Sequence, residues 1–127
     1  MERKGKEMHF EPGEVYHLYN RGTDKQKIFF NRENYLFFLR KIKSEWLPYC
    51  DVLAYCLMTN HFHFLIVPNS KGCSLLTLKE THLQQLSKVV GKTLSSYTQA
   101  INKEKKRTST LFQKKTKAKL IDSASDE

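Results

Sequence analysis

Alternating apolar and polar residues mark four short segments of the chain as strands. These segments are rich in β-branched and aromatic residues and are bounded by turn-forming residues. They run from Val15 to Tyr19, Asp51 to Met58, His61 to Val67 and Lys117 to Ile121. Asn20-Arg21-Gly22 is predicted to end the first strand as a turn. The short link Thr59-Asn60 predicts an antiparallel hairpin of the second and third strands.

A second pattern, with apolar residues every three or four positions, predicts two helices. The first follows the capping residue Asn31 and ends before Pro48. Its apolar stripe is Tyr35, Phe38, Ile42 and Trp46. The second begins at Thr81 and has about five turns. Its stripe is Leu83, Leu86, Val90, Leu94, Tyr97 and Ile101. Residues 71–80, between hairpin and helix, predict a loop with a helical turn.

The predicted order is strand, helix, strand, strand, helix, strand. This order is the split βαβ arrangement of ferredoxin-like α+β folds. It predicts one antiparallel sheet with both helices on one face. The domain is expected to span residues 11–121, between a polar tail at 1–10 and a frayed acidic tail at 122–127.

The charge of the chain points to a polyanionic partner. There are 22 Lys and Arg against 13 Asp and Glu, a net charge of +9. Such an excess favours nucleic acid, since each neutralised phosphate releases counterions. Much of it lies between Lys103 and Lys119, around an apolar anchor at Leu111-Phe112. The candidate DNA contacts are Arg21, Lys103, Lys105, Lys106, Arg107, Lys114, Lys115 and Lys117. A solvated basic loop is the alternative interpretation.

Cysteine usage and hydropathy indicate a reduced, unexported protein. The three cysteines lack C-x-x-C spacing, which argues against a disulfide framework and a zinc knuckle. Cys50 and Cys56 lie in an apolar run and are expected in the core. No apolar run is long enough to span a membrane, and the N-terminus resembles no signal peptide. We therefore expect a cytoplasmic, nucleoid-associated protein.

The segment Asn60-His61-Phe62-His63 carries the candidate chemistry. Because strand side chains alternate, His61 and His63 are expected on one face of the sheet. Neutral imidazoles bind transition metals, so the pair is a candidate metal site. Two histidines on a half-exposed strand are the simpler alternative. His17 could support the site from a neighbouring strand, and Gln113 could reach a metal.

Several stretches resemble the single-tyrosine HUH transposases of bacterial insertion sequences, including the REP-associated group. The matching stretches are Tyr16-His17-Leu18-Tyr19-Asn20-Arg21-Gly22, residues 54–65 with the His-Phe-His triplet, residues 96–102 and Leu111-Phe112-Gln113. The resemblance covers roughly residues 10–121. It implies a ferredoxin-like sheet, a homodimer and a divalent metal, Mg²⁺ or Mn²⁺. It also implies cleavage and rejoining of single-stranded DNA near hairpins, through a 5′-phosphotyrosine and a free 3′-OH.

The chain departs from this family at its C-terminal end. The family's catalytic tyrosine lies on a later helix, and nothing after Ile121 resembles that helix. Tyr97 is a weak substitute, because its place in the apolar stripe favours a core role. Two functional hypotheses follow: a DNA-cleaving enzyme, or a truncated relative that binds DNA and competes with a full-length transposase. A different HUH enzyme, a replication initiator or a relaxase, is a third reading.

Overall fold

A computed structural model of the chain describes residues 8–76 and 82–121. The four strands form one sheet. They are β1 (Tyr16–Arg21), β2 (Cys50–Met58), β3 (His61–Pro68) and β4 (Lys117–Leu120). The helices are α1 (Arg32–Glu45), the short α2 (Ser70–Cys73) and α3 (Gln85–Lys105). A 3₁₀ turn spans Thr23–Lys25.

The sheet has the order β2-β3-β1-β4, and every pair of neighbours is antiparallel. Strands β1 and β3 lie in the centre and pair from Tyr16 opposite Ile66 to Arg21 opposite His61. This arrangement is the split βαβ topology. The α+β, ferredoxin-like fold class predicted from the sequence is confirmed.

Aromatic contacts show that both long helices cover the same face of the sheet. On α1, the Phe38 ring lies 5.5 Å from that of Phe62 in β3. On α3, the Tyr97 ring lies 5.0 Å from Phe38. Large buried side chains contribute most of the favourable burial energy. Because the inner face is filled in this way, the polar residues of β1 and β3 face the other side.

Local sequence signals set the start of α1 as predicted. The side chain of Asn31 accepts a hydrogen bond from the backbone N–H of Asn34 at 2.9 Å, as an N-cap does. The helix ends at Glu45, just before Trp46. The Trp46 indole is fully buried, and its Nε1 donates to Thr93 on α3 at 3.0 Å. The same side chain therefore closes α1 and joins it to α3.

Two predicted boundaries are wrong, because tertiary contacts decide them. Strand β1 continues to Arg21 rather than turning at Asn20, since Arg21 pairs with His61. Helix α3 begins at Gln85 and not at Thr81, a residue outside the described ranges. The buried side chain of Gln84 instead bonds to both backbone groups of Phe10, each at 2.8 Å.

The N-terminal end of the described chain belongs to the core. Phe10, assigned from the sequence to a polar tail, is buried and its ring lies 5.0 Å from that of Tyr16. Met8 is partly buried against the same cluster. The remaining predicted tail residues, 1–7 and 122–127, lie outside the described ranges.

A bulge in β2 overturns the expectation that Cys56 is a core residue. The register shifts between Val52 and Ala54, so that Leu53 is the extra residue. Alternation is reversed beyond it, and Cys56 is exposed opposite His63, whereas Cys50 is buried as expected. Among the described residues, no helix is long and apolar enough to cross a membrane.

Candidate metal and nucleic-acid site

The histidines of β3 lie on the open face of the sheet, as predicted from alternation. His61 and His63 are half-buried, whereas Phe62 and Phe64 between and beyond them are buried. Their ring centroids are 4.9 Å apart, with the rings nearly perpendicular. The strand thus presents two imidazoles on the side that the helices leave uncovered.

A cleft of about 480 Å³ surrounds this pair. Its lining comes from three parts of the chain: the end of β1, the start of β3 and the segment before β4. The lining residues are Tyr19, Asn20, Arg21, His61, His63, Gln113, Lys115 and Lys117. The backbone N–H of Gln113 donates to the carbonyl of Arg21 at 2.9 Å, which brings the basic segment to the sheet.

Both histidines of the pair have a hydrogen-bond partner at Nδ1. His61 Nδ1 lies 2.8 Å from Oδ1 of Asn60. His63 Nδ1 lies 2.8 Å from Nε2 of His17, on the adjacent strand β1. Tyr19 stacks on His17 with a centroid distance of 4.4 Å. The open face therefore carries three imidazoles and a phenol in mutual contact.

The electrostatics of this group favour neutral rings. Burial is the main cause that lowers the pKa of His63, with further lowering from His17 and His61. Burial, and then Lys119, lowers the pKa of His17. A neutral imidazole has the free nitrogen lone pair that metal binding requires. The site therefore holds its histidines in the form that can act as ligands.

The protein ligands on the open face are few. Within residues 8–76 and 82–121, no group of three or more His, Cys, Asp or Glu side chains is arranged to hold a metal ion. Two imidazoles suit a borderline ion such as Mn²⁺ better than Mg²⁺, which prefers oxygen ligands. The donor set therefore fits a cation that takes its remaining ligands from water or from a phosphate.

Tyr97 is a core residue, which excludes it as an accessible nucleophile. Its side chain is fully buried, and its hydroxyl donates to the carbonyl of Ile28 at 2.7 Å. Burial, followed by Glu104 and Tyr35, raises the pKa of this phenol. A hydroxyl that holds its proton so firmly and has no solvent access cannot attack DNA. The core interpretation of the sequence is confirmed.

The structure divides the predicted DNA contacts into two groups. Arg21, Lys115 and Lys117 line the cleft. The others lie at the end of α3 and in the loop after it: Lys103, Lys105, Lys106, Arg107 and Lys114. In this second group, the ammonium of Lys105 lies 4.9 Å from the centre of the Phe30 ring. Arg107 donates to Gln26 at 2.9 Å and to Ser109 at 2.9 Å.

Sequence reasoning did not place Tyr19 or Asn60 in the site. Tyr19 lines the cleft and lies opposite His63 in the register of β1 and β3. Its spacing of two residues from His17 is the signal that could have identified it, since both side chains then share a face. Asn60 was assigned only to the turn. His82, by contrast, is exposed at the start of the α3 region.

Comparison with known proteins finds a structural likeness. No family model and no curated protein sequence matches the chain. A solved structure of a REP-associated tyrosine transposase bound to a REP hairpin is similar, with a TM-score of 0.66 and 10% sequence identity. The alignment covers 98% of this chain and 66% of that one, so this chain spans slightly less than two thirds of the length of its structural neighbour. At this identity the likeness establishes the fold.

Proposed function

We propose that the chain is a DNA-binding protein of the transposase type, which holds single-stranded or hairpin DNA across the open face of its sheet. One observation carries the proposal: the cleft combines the His61 and His63 pair with Arg21, Lys115 and Lys117. Cations beside metal-ligating imidazoles are an arrangement suited to a phosphodiester. The likeness to a transposase bound to a DNA hairpin supports the choice of nucleic acid over other polyanions.

The proposal includes a divalent cation at His61 and His63, with Mn²⁺ the best fit to the ligands present. When bound, it would polarise the phosphate oxygens as a Lewis acid. Arg21 ends β1 directly opposite His61, so its guanidinium is placed to contact the same phosphate backbone. Lys117 lies opposite Tyr19 on the other side of β1. These residues orient the backbone, and the open sheet leaves room for the bases.

A charge-matched pair of variants tests the binding surface. R21A/K117A removes one Arg and one Lys from the cleft. R40A/K43A removes the same charges from exposed positions of α1, on the opposite face of the sheet. Titration of a fluorescent DNA hairpin with a single-stranded flank should show that the cleft variant binds at least about tenfold more weakly than the control. Its salt slope should also fall by about two, one per phosphate contact.

Equal affinities and equal salt slopes for the two variants would contradict the proposed surface. Because each variant loses two positive charges, a general effect of net charge would weaken both alike. Parallel thermal denaturation shows whether either variant is unfolded. The comparison therefore separates a local contact from the attraction of any basic protein for DNA.

Strand cleavage is a second candidate, favoured by the position of Tyr19 in the same cleft as His63. In this step the Tyr19 oxygen would attack phosphorus and lose its proton to water. A phosphotyrosine bond would form as the bond to the 3′-oxygen breaks, and that oxygen would leave as a hydroxyl. Denaturing gels of the chain incubated with Mn²⁺ and hairpin DNA should then show a covalent adduct that Y19F lacks. Binding without an adduct would leave the chain a binding protein.

We also propose a homodimer, through the edge strand β2. This strand ends the sheet on one side and exposes Leu53 by 57% and Tyr55 by 55%. An apolar edge with unpaired backbone groups favours association. Light scattering should give twice the monomer mass of 15.0 kDa for the parent chain. L53K/Y55K should give a monomer, whereas L120K on the opposite edge strand should not.

A further inference from the structure

We infer that Asn60 and His17 are positioning residues, which hold the Nδ1 atoms of His61 and His63 so that both rings offer Nε2 to the cation. The inference rests on the proposed metal site and assigns the two groups that orient its ligands. Partners of this kind fix the tautomer and the direction of a ligating imidazole. Neither residue needs to touch the cation or the DNA.

The geometry at Asn60 determines which nitrogen of His61 carries the proton. Oδ1 of Asn60 lies 2.8 Å from Nδ1 of His61, and an amide oxygen only accepts hydrogen bonds. The other end of the amide, Nδ2, points to the carbonyl of Lys25 at 3.5 Å, which fits this orientation of the side chain. His61 therefore donates from Nδ1, and its Nε2 keeps a free lone pair.

The backbone fixes Asn60 in place. Its carbonyl accepts a hydrogen bond from the N–H of Gly22 at 3.0 Å. The neighbouring carbonyl of Thr59 accepts from Ile28 at 2.7 Å and from Phe29 at 3.1 Å. The turn before β3 is thus tied to the segment that leads into α1. The amide that orients His61 consequently rests on a rigid support.

His17 has the corresponding position at His63. Its Nε2 lies 2.8 Å from Nδ1 of His63, and its ring is held by stacking on Tyr19. A proton on Nδ1 of His63 would be donated to Nε2 of His17, which leaves Nε2 of His63 free. The reverse bond would place the proton of His63 on Nε2 and block that atom. Only the first arrangement is compatible with a cation shared by the two Nε2 atoms.

The same geometry determines how many histidines the cation binds. His17 reaches His63 from the Nδ1 side of the ring, and the lone pair of Nε2 points away from that side. His17 is therefore excluded from a cation bound at Nε2 of His63. The protein then supplies two imidazoles, and the other coordination positions stay open to water and to a phosphate oxygen, as in catalytic metal sites.

The protonated nitrogens can be observed directly in the metal-free chain by long-range ¹H–¹⁵N correlation of the histidine rings. We expect His61 and His63 both to carry the proton on Nδ1. N60A should release the proton of His61, and H17F that of His63, to a mixture of both nitrogens. H17Q offers an amide oxygen as acceptor and should restore Nδ1 protonation. A His63 ring protonated on Nε2 in the parent chain would overturn the inference.

Metal binding supplies the second readout. Calorimetry with Mn²⁺ should show affinity reduced about 10- to 100-fold in H17F and N60A, the effect typical of lost supporting partners. H17Q should stay within a few-fold of the parent. Its Co²⁺ complex should also have the parent's visible spectrum, because no ligand is lost. A changed Co²⁺ spectrum in H17Q, or unchanged Mn²⁺ affinity in H17F, would contradict a positioning role.

The proposed function and this inference can fail separately. A parent chain whose Mn²⁺ affinity equals that of H61A has no metal site at the pair, which overturns the proposed cation site. A parent chain that binds Mn²⁺ through His61 but is unaffected by H17F retains the site and loses the positioning role of His17. Thermal denaturation of H17Q and H17F checks that both variants are folded.

Discussion

The side-chain amide of Asn20 connects the central strand to the basic segment: its Nδ2 donates to the carbonyl oxygen of Gln113 at 3.1 Å. The same nitrogen donates to Oγ1 of Thr116 at 2.9 Å. Asn20 is buried, with 5% of its surface exposed. These bonds hold residues 113–116 at the rim of the cleft and so determine where Lys115 and Lys117 stand. The position of the cationic residues thus depends on one buried polar side chain.

We expect N20A to weaken both folding and DNA binding. It leaves the Gln113 carbonyl and the Thr116 hydroxyl without their donor, which should cost about 2 to 3 kcal/mol of unfolding free energy. T116V removes one of the two bonds and should cost about 1 kcal/mol. Urea unfolding and DNA titration of both variants measure the two effects. An N20A chain as stable as T116V would show that the Gln113 bond contributes nothing.

Arg107 is predicted to matter more for stability than for DNA contact. Its guanidinium NH2 group donates to Gln26 and Ser109, each at 2.9 Å, and tethers the end of α3 to the 3₁₀ turn. R107K keeps the charge but cannot reproduce this pair of bonds. Urea unfolding should show R107K and R107A destabilised alike, by about 1 to 3 kcal/mol. Full stability in R107K together with weak DNA binding in R107A would instead favour a phosphate contact.

Two glycines should respond to alanine in opposite directions. A Cβ added at Gly22 would lie 2.1 Å from the backbone oxygen of Gln26, whereas nothing lies within 4 Å of one added at Gly91. G22A must therefore displace backbone, and we expect a loss of about 2 kcal/mol or more. G91A lies within α3 on its exposed side and should gain about 1 kcal/mol. Thermal unfolding of both variants checks this, and a neutral G22A would contradict the close approach.

Glu45 should make part of the stability dependent on acid pH. Burial alone would raise the pKa of its carboxyl, but hydrogen bonds from Thr93 and Lys41 outweigh this and lower it from the ordinary 4.5. A lowered pKa gives stability that is complete above that value and is lost as the pH falls through the folded pKa. E45Q should therefore be less stable than the parent at neutral pH, and the difference should shrink in acid. Urea unfolding across this range measures it, and a pH-independent difference would exclude Glu45 as the cause.

The sequence determined the elements of the fold and their order. Apolar periodicity is a local property, and it located four strands, two long helices and the N-cap Asn31. Alternation alone placed His61 and His63 on one face of β3. The same local signal predicted the core position of Tyr97. These features depend on backbone geometry over a few residues, so a sequence contains them without reference to the rest of the chain.

Tertiary structure decided which residues share the site. Arg21 and Lys117 meet the histidines only because β1 pairs with both β3 and β4, which brings together residues far apart in sequence. The bulge at Leu53 turned Cys56 outward, and the contacts of Gln84 with Phe10 delayed the start of α3. The partners of the two imidazoles, Asn60 and His17, likewise follow from strand register. Side-chain contacts across a sheet depend on register and on packing between distant segments, which local periodicity does not encode.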